Sequence, residues 1–201
     1  QLLQRQHSEL SAPFQKLRDD IDRSTALVEN LLALARLDSL NQQSLQRSNI
    51  TLQSYLQELI DAHATMAQQR GINLQLHCNA EQLNINPEMM HIALRNLLDN
   101  ALRYSSTNSP ANSTVSIAVS KIGDMLRIAI CDDGPGVDAE QRSRLSERFF
   151  RVLGSGESGN GLGLSIVRRI IELHGAKLSF GSGLHERGLG VFLDFPLHGK
   201  V

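Results

Sequence analysis

Asn96 and Asn100 stand one helical turn apart in the run Asn96-Leu97-Leu98-Asp99-Asn100. On a helix, both amide oxygens can therefore point at one hard cation such as magnesium. Arg103 follows near the same face and offers a fixed positive fork suited to phosphate oxygens, while the ring of Tyr104 can stack on a purine. A second cluster, Asp132-Asp133-Gly134-Pro135-Gly136-Val137, joins a carboxylate acceptor to two glycines, Gly134 and Gly136. Those glycines let the backbone turn tightly and approach a ligand closely, and the acceptor suits an adenine amino group. The third cluster, Gly159-Asn160-Gly161-Leu162-Gly163-Leu164, stands just ahead of the apolar run Ser165-Ile166-Val167-Arg168-Arg169-Ile170-Ile171. Its glycines expose backbone N–H groups at the start of a helix, where aligned peptide dipoles favour anions. Together the clusters describe a site for ATP.

Each cluster has an ordinary reading when taken alone. The string from Gly159 to Gly163 has the look of a dinucleotide fingerprint, but that motif needs a strand directly before it, and Val152 to Ser158 is a Gly/Ser-rich loop. The second cluster has the composition of a turn after a strand, and two asparagines on one helix face are commonly just solvated. The conjunction of all three, in this order, selects a nucleotide.

The rest of the chain supplies the elements that hold these residues. Leu10, Phe14, Leu17, Ile21, Ser24, Val28, Leu31 and Ala35 step by four and three alternately, a heptad seam that wants a partner helix. Pro13 suits a first helical position, so a helix is predicted from Pro13 to Leu40, with Gln1 to Ser8 as the stub of a preceding one. Residues 1–40 are thus a helical appendage, 41–49 a polar linker, and 50–201 a mixed α and β domain. In that domain Ile50 to Leu52 reads as a short strand, Gln53 to Gln69 as a helix stopped at Gly71, and Ile72 to Leu76 as an alternating strand. Pro87 opens the helix that carries Asn96 and Asn100. Strands at Thr114 to Lys121 and Met125 to Cys131 form a hairpin across Gly123-Asp124, and two more follow at Lys177 to Phe180 and Val191 to Phe195. The expected fold is α+β, a two-layer sandwich with helices on one face of a mixed sheet, preceded by a coiled-coil-like helix.

Composition sets bounds. The chain has 201 residues, 41% of them hydrophobic, enough for one core with an appendage. A net charge of −1 argues for neither nucleic acid nor an anionic membrane as partner. No apolar run approaches the ~18 residues of a membrane span. Beginning at Gln1, mid-helix in character, the chain reads as a piece of something longer. Cys78 and Cys131 lie in apolar runs without CxxC spacing and are expected to be buried thiols of a reducing compartment.

At these residues the chain resembles the catalytic and ATP-binding domain of bacterial sensor histidine kinases. It has an N box at Asn96 to Ser105, a G1 box at Asp132 to Gly136, an F box at Glu147-Arg148-Phe149-Phe150-Arg151 and a G2 box at Gly159 to Leu164. Leu173-His174-Gly175 and Gly188-Leu189-Gly190-Val191-Phe192 fit the end of that domain. The run from Asp22 to Asp38 is similar to the second dimerisation helix of quorum-sensing and polymyxin-resistance sensors. The resemblance implies the α/β sandwich shared with DNA gyrase, heat-shock chaperone and mismatch-repair ATPases. It also implies ATP and magnesium as cofactors. Asn96 and Asn100 would hold the metal, with Asn160 as a weaker third ligand. Arg103, Arg151 and the amides of Gly161, Leu162, Gly163 and Leu164 would meet phosphates, and Asp132 would read adenine. Phe149 and Phe150 would begin a lid that runs to Gly159. The implied partners are a second copy of the chain and a response regulator, with attachment to an inner membrane through upstream segments and the domain on the cytoplasmic side.

Three departures matter. Where the ATPases of this superfamily carry a general-base Glu, this chain has Asn96, and a carboxamide cannot take a proton from water. Hydrolysis is expected to be slow, leaving the γ-phosphate for a histidine nitrogen. The acceptor motif, His-Glu-Leu/Ile-Arg-Thr/Ser-Pro, matches His7-Ser8-Glu9-Leu10-Ser11-Ala12-Pro13 only with Ser8 inserted and without the Arg, so the acceptor is expected to be absent. In the last glycine box Val191 follows Gly190 where the family commonly has Thr, which predicts a weaker contact at the pocket edge.

Overall fold

A computed structural model of the chain describes residues 21, 24–79, 81–105, 113–152 and 160–197. A helix over residues 24–38, α1, leads into a short 3-10 turn at Gln42–Ser44 and strand β1 (Ser48–Thr51). Then come α2 (Leu52–Gln69), β2 (Ile72–His77), β3 (Gln82–Ile85), α3 (Pro87–Ser105), β4 (Ser113–Ile122) and β5 (Met125–Asp132). The chain continues through α4 (Ala139–Arg142), α5 (Gly163–Leu173), β6 (Lys177–Ser182) and β7 (Leu189–Pro196).

Five strands form one sheet in the order β2-β4-β5-β7-β6, with β2 parallel to β4 and the other pairs antiparallel. Burial along β5 alternates strictly, so Leu126, Ile128, Ile130 and Asp132 share the covered face. That face is roofed by α3 over β4 and β5, α2 over β2 and α5 over β6, while α5 also packs on α3. Among the described residues no helix packs on the opposite face, which makes the two-layer sandwich expected from the sequence. The alternation also corrects the cysteine expectation: Cys131 takes the open parity of β5 and Cys78 follows the end of β2, so both thiols are only partly buried.

Among the short elements, β3 and α4 are not expected from the sequence. β3 pairs with β1 in a separate two-stranded ribbon, and α4 is a single turn between the second and third clusters. α1 also differs from the seam reading. Val28 and Leu31 are exposed as a partner-seeking seam would be, but Leu34 and Leu37 on another face are buried in the core of the α/β domain. The linker, too, is fastened down, because the Gln42 and Arg47 side chains donate to carbonyls at the end of α5.

Candidate nucleotide-binding site

α3 is set in place at its first turn. Asn86 caps it, accepting from Met89 N at 2.9 Å through its side chain, and Pro87 occupies the first helical position. The backbone N–H of Asn86 in turn donates to His174 Nε2 at 3.0 Å, while His174 Nδ1 donates to Ile170 O at 2.7 Å. Burial holds the His174 imidazole below its ordinary pKa, in keeping with a neutral ring that uses one nitrogen as donor and the other as acceptor. The start of α3 and the end of α5 are thus tied together.

One consequence is that Asn96, on α3, lies against the start of α5. A Cβ added to Gly163 would sit 2.8 Å from Asn96 Oδ1, so the N box and the G2 box lie side by side here and a side chain at 163 would push the Asn96 amide aside. Asn96 Nδ2 donates to Ile92 O at 2.8 Å, which aims the side-chain oxygen away from its own helix. Asn100 is half-buried one turn further on, and Arg103 lies in the last turn of α3. Asn160 is placed less favourably for a metal, since its Oδ1 already accepts from Leu162 N at 3.2 Å. Gly159 and the rest of 153–159, the body of the expected lid, lie outside the described residues.

Asp132 ends β5 on the covered face and is only 5% exposed. Its Oδ1 accepts from Gly134 N at 2.9 Å and from Leu189 N at 3.1 Å. Both of these bonds go to Oδ1, and no hydrogen bond among the described residues uses Oδ2. Desolvation dominates its titration. The carboxyl is pushed up from 3.8 to about 6, with the charge of Asp133 adding to the rise and the two backbone N–H groups opposing it. Asp133 accepts from Thr114 N through Oδ2 at 2.8 Å, and its buried Oδ1 has no partner among the described residues.

Glycines shape the walls. A Cβ on Gly134 would meet Tyr104 O at 2.8 Å, and one on Gly136, at φ 73°, would meet Gly188 O at 2.7 Å. The G1 box is therefore wedged between the end of α3 and the turn before β7. Gly188 and Leu189 belong to the site through that turn. The sequence showed them only as part of a glycine box at the domain end, because nothing in a Leu side chain signals a backbone N–H aimed at a carboxylate.

The F box joins the third cluster by its backbone. Phe149 adopts φ 65°, and its N–H donates to Gly161 O at 2.9 Å. Gly161, at φ 67°, has no room for a side chain, since a Cβ would stand 2.8 Å from Phe149 C. Phe149 is exposed, whereas Phe150 lies under the Arg144 guanidinium, 4.4 Å from the ring centroid, and Arg151 is exposed just beyond. Core packing thus does not explain Phe149. Gly161→Ala is expected to strain both the positive φ and this contact, at a cost of about 1–3 kcal/mol. Thermal unfolding compared with Gly123→Ala, where φ is 57° but space is open, isolates the contact, and equal losses would refute it.

Asp99 faces elsewhere: its Oδ1 lies 3.3 Å from Nε2 of buried His63, so it braces α3 against α2. His7 and His198 lie outside the described residues.

The N box thus meets the G2 box at Asn96 and Gly163 and the G1 box at Tyr104 and Gly134, while the F box meets the G2 box at Phe149 and Gly161. A profile of histidine kinase-, DNA gyrase B- and HSP90-like ATPases matches residues 85–199. Sensor protein QseC of Salmonella typhi is 42% identical over 170 residues, 83% of this chain and 36% of the relative. Sensor protein kinase PmrB of Pseudomonas aeruginosa is 34% identical over 178 residues, covering 88% and 36% of the two chains. Among solved structures, the cytoplasmic segment of histidine kinase QseC matches with TM-score 0.57 and 32% identity over 89% of this chain and 95% of that one. Full-length ShkA in complex with AMPPNP matches with TM-score 0.75 over 90% of this chain and 37% of that one, at 24% identity, a likeness of fold. The chain belongs to the histidine kinase-, DNA gyrase B- and HSP90-like ATPase family, and its α/β domain is the ATP-binding catalytic domain of a sensor histidine kinase. It spans 36% of the length of these two curated relatives. No helix among the described residues is long and apolar enough to cross a membrane.

Proposed function

We propose that this domain binds ATP with magnesium and donates the γ-phosphoryl group to a histidine of a dimeric sensor kinase, from which it passes to a response regulator. The parent protein would be anchored in an inner membrane by segments upstream, with this domain on the cytoplasmic side. The observation that carries the reading is the divided carboxylate of Asp132, fixed through Oδ1 and open at Oδ2 toward an adenine amino group.

The donor set suits magnesium brought in by the nucleotide. Among the described residues there is no cluster of three His, Cys, Asp or Glu side chains that could hold a metal alone. Magnesium, however, is commonly bound through one or two protein oxygens plus substrate phosphates, which Asn96 and Asn100 can supply. When bound, the metal neutralises charge on the phosphates during transfer. Gly161, Leu162, Gly163 and Leu164 present amides at the start of α5, and Arg103 and Arg151 add fixed positive charge. Tyr104 would stack on the base. Asn160, its oxygen already engaged, is the weakest of the proposed metal ligands.

Asn96 also argues for transfer over hydrolysis. A carboxamide bonded to Ile92 O cannot act as general base on water, whereas neutral imidazole is a nucleophile without one. His7 has the wrong neighbours for the acceptor motif, so the chain alone should take up no acid-labile phosphate from γ-labelled ATP. Adding a polypeptide with a complete dimerisation hairpin should restore labelling of that polypeptide. Stoichiometric label on the isolated chain, lost in His7→Ala, would refute the assignment of the acceptor to another segment.

A further inference from the structure

α1 and α5 cap one another. Arg169 of α5 donates from Nε to Leu37 O at 3.2 Å and from Nη2 to Leu40 O at 2.7 Å, satisfying carbonyls at the end of α1. Its positive charge also suits that negative end of the helix dipole. In the other direction, Gln42 Nε2 donates to Glu172 O at 2.8 Å and Arg47 Nη2 to Leu173 O at 3.2 Å, satisfying carbonyls at the end of α5. Buried Leu34 and Leu37 supply an apolar footing beneath these bonds.

Asp38 stands between two arginines. It pairs with Arg148 at 2.7 Å and faces Arg169 at 3.8 Å, while Arg169 also reaches Glu172 at 4.0 Å and Arg168 pairs with Glu172 at 2.8 Å. Arg148 and Arg169 lead to the same place by different routes. Arg148 directly precedes Phe149, whose N–H holds Gly161 O, and Arg169 rides on the helix that begins at Gly163. Gly161 has no slack toward the F box, because a Cβ there would lie 2.8 Å from the Phe149 backbone, and Gly163 lies against the Asn96 side chain.

We propose that Asp38 and Arg169 form a positioning clamp, through which docking of the end of α1 holds the phosphate loop Gly161-Leu162-Gly163 ready for nucleotide, so that displacing α1 lowers nucleotide affinity. This rests on the reading of that loop as a phosphate site. The Asp38–Arg148 pair is exposed and weak by itself, whereas Arg169 is more buried and makes two backbone bonds, so Arg169 carries the larger effect. Coupling of this kind is reciprocal: nucleotide should steady α1 by the same factor that docking favours nucleotide.

Amide exchange on the whole chain without nucleotide tests the clamp separately from ATP binding. In Arg169→Gln, exchange across 147–151 and 161–165 should quicken about tenfold while β4 and β5 are unchanged, and ATP affinity should fall roughly three- to tenfold. Arg169→Lys, which keeps the charge but not the fork, should recover part of both effects. If Arg169→Gln does not fold, exposed Asp38→Asn carries the same comparison with a smaller change. Faster exchange confined to residues 24–47, with the loop and the affinity as in the parent chain, would overturn the proposal. A parent chain that fails to bind ATP would instead sink the phosphate-site reading, with the exchange map still deciding whether the clamp exists.

Discussion

Asp132→Asn should make the nucleotide-free domain more stable at neutral pH and at the same time greatly weaken ATP binding. The Asp132 carboxyl titrates near 6 in the folded state against 3.8 ordinarily, chiefly because burial disfavours its charge. A raised folded pKa contributes stability that is full below the unfolded value and lost as pH rises through the folded one. At pH 7 and above the ionised group therefore costs up to about 3 kcal/mol, which the neutral amide avoids while its oxygen still accepts from Gly134 and Leu189. Thermal unfolding should show a higher midpoint for the variant at pH 7.5 and convergence with the parent near pH 3.5. The amide nitrogen then replaces Oδ2 and meets the adenine amino group donor to donor, a mismatch of about 1–3 kcal/mol, or ten- to a hundredfold in affinity. For the parent chain, ATP affinity should decline as pH drops through about 6 and the carboxylate takes a proton. A variant that binds ATP as the parent does would remove Asp132 from the adenine pocket.

Asn100→Ala should abolish the magnesium dependence of binding and leave the fold intact. Alanine is the best helix former, and Asn100 is half-buried on α3. Only the proposed ligand oxygen is lost. Calorimetric titrations with ATP should then give the same weak affinity in magnesium and in EDTA, at least about tenfold below the parent in magnesium. Retention of the parent's magnesium dependence would move the metal away from the N box.

The sequence carried the side chains of this site better than its backbone. Asn96, Asn100 and Asp132 stand out as candidates because helical spacing and strand alternation state which residues share a face. The approach of Asn96 to Gly163 is not legible in the sequence, where that glycine reads only as an exposed backbone amide. Nor is Leu189, because a main-chain donor leaves no trace in residue type. α4 and β3 escaped because a single turn and a four-residue strand carry too few apolar positions to show a period. The second face of α1 was missed for a different reason. A 3.5-residue repeat was assigned to one seam, but Leu34 and Leu37 belong to a neighbouring stripe that only tertiary packing distinguishes. The same limit hid Arg169, which reads as a surface residue of an amphipathic helix until its carbonyl partners are seen.

The proposed reading of adenine by Asp132 is tested most directly by titrating the parent chain with ATP and with GTP under identical magnesium. Asp132 Oδ2 would accept from the adenine amino group, whereas guanine presents an oxygen at the equivalent position and would oppose acceptor to acceptor. Sites built around such a hydrogen bond reject a mismatched analogue strongly, so ATP should bind at least about a hundredfold more tightly than GTP. Asp132→Asn should erase most of that preference. Equal affinities of the parent chain for the two nucleotides would contradict the site described here.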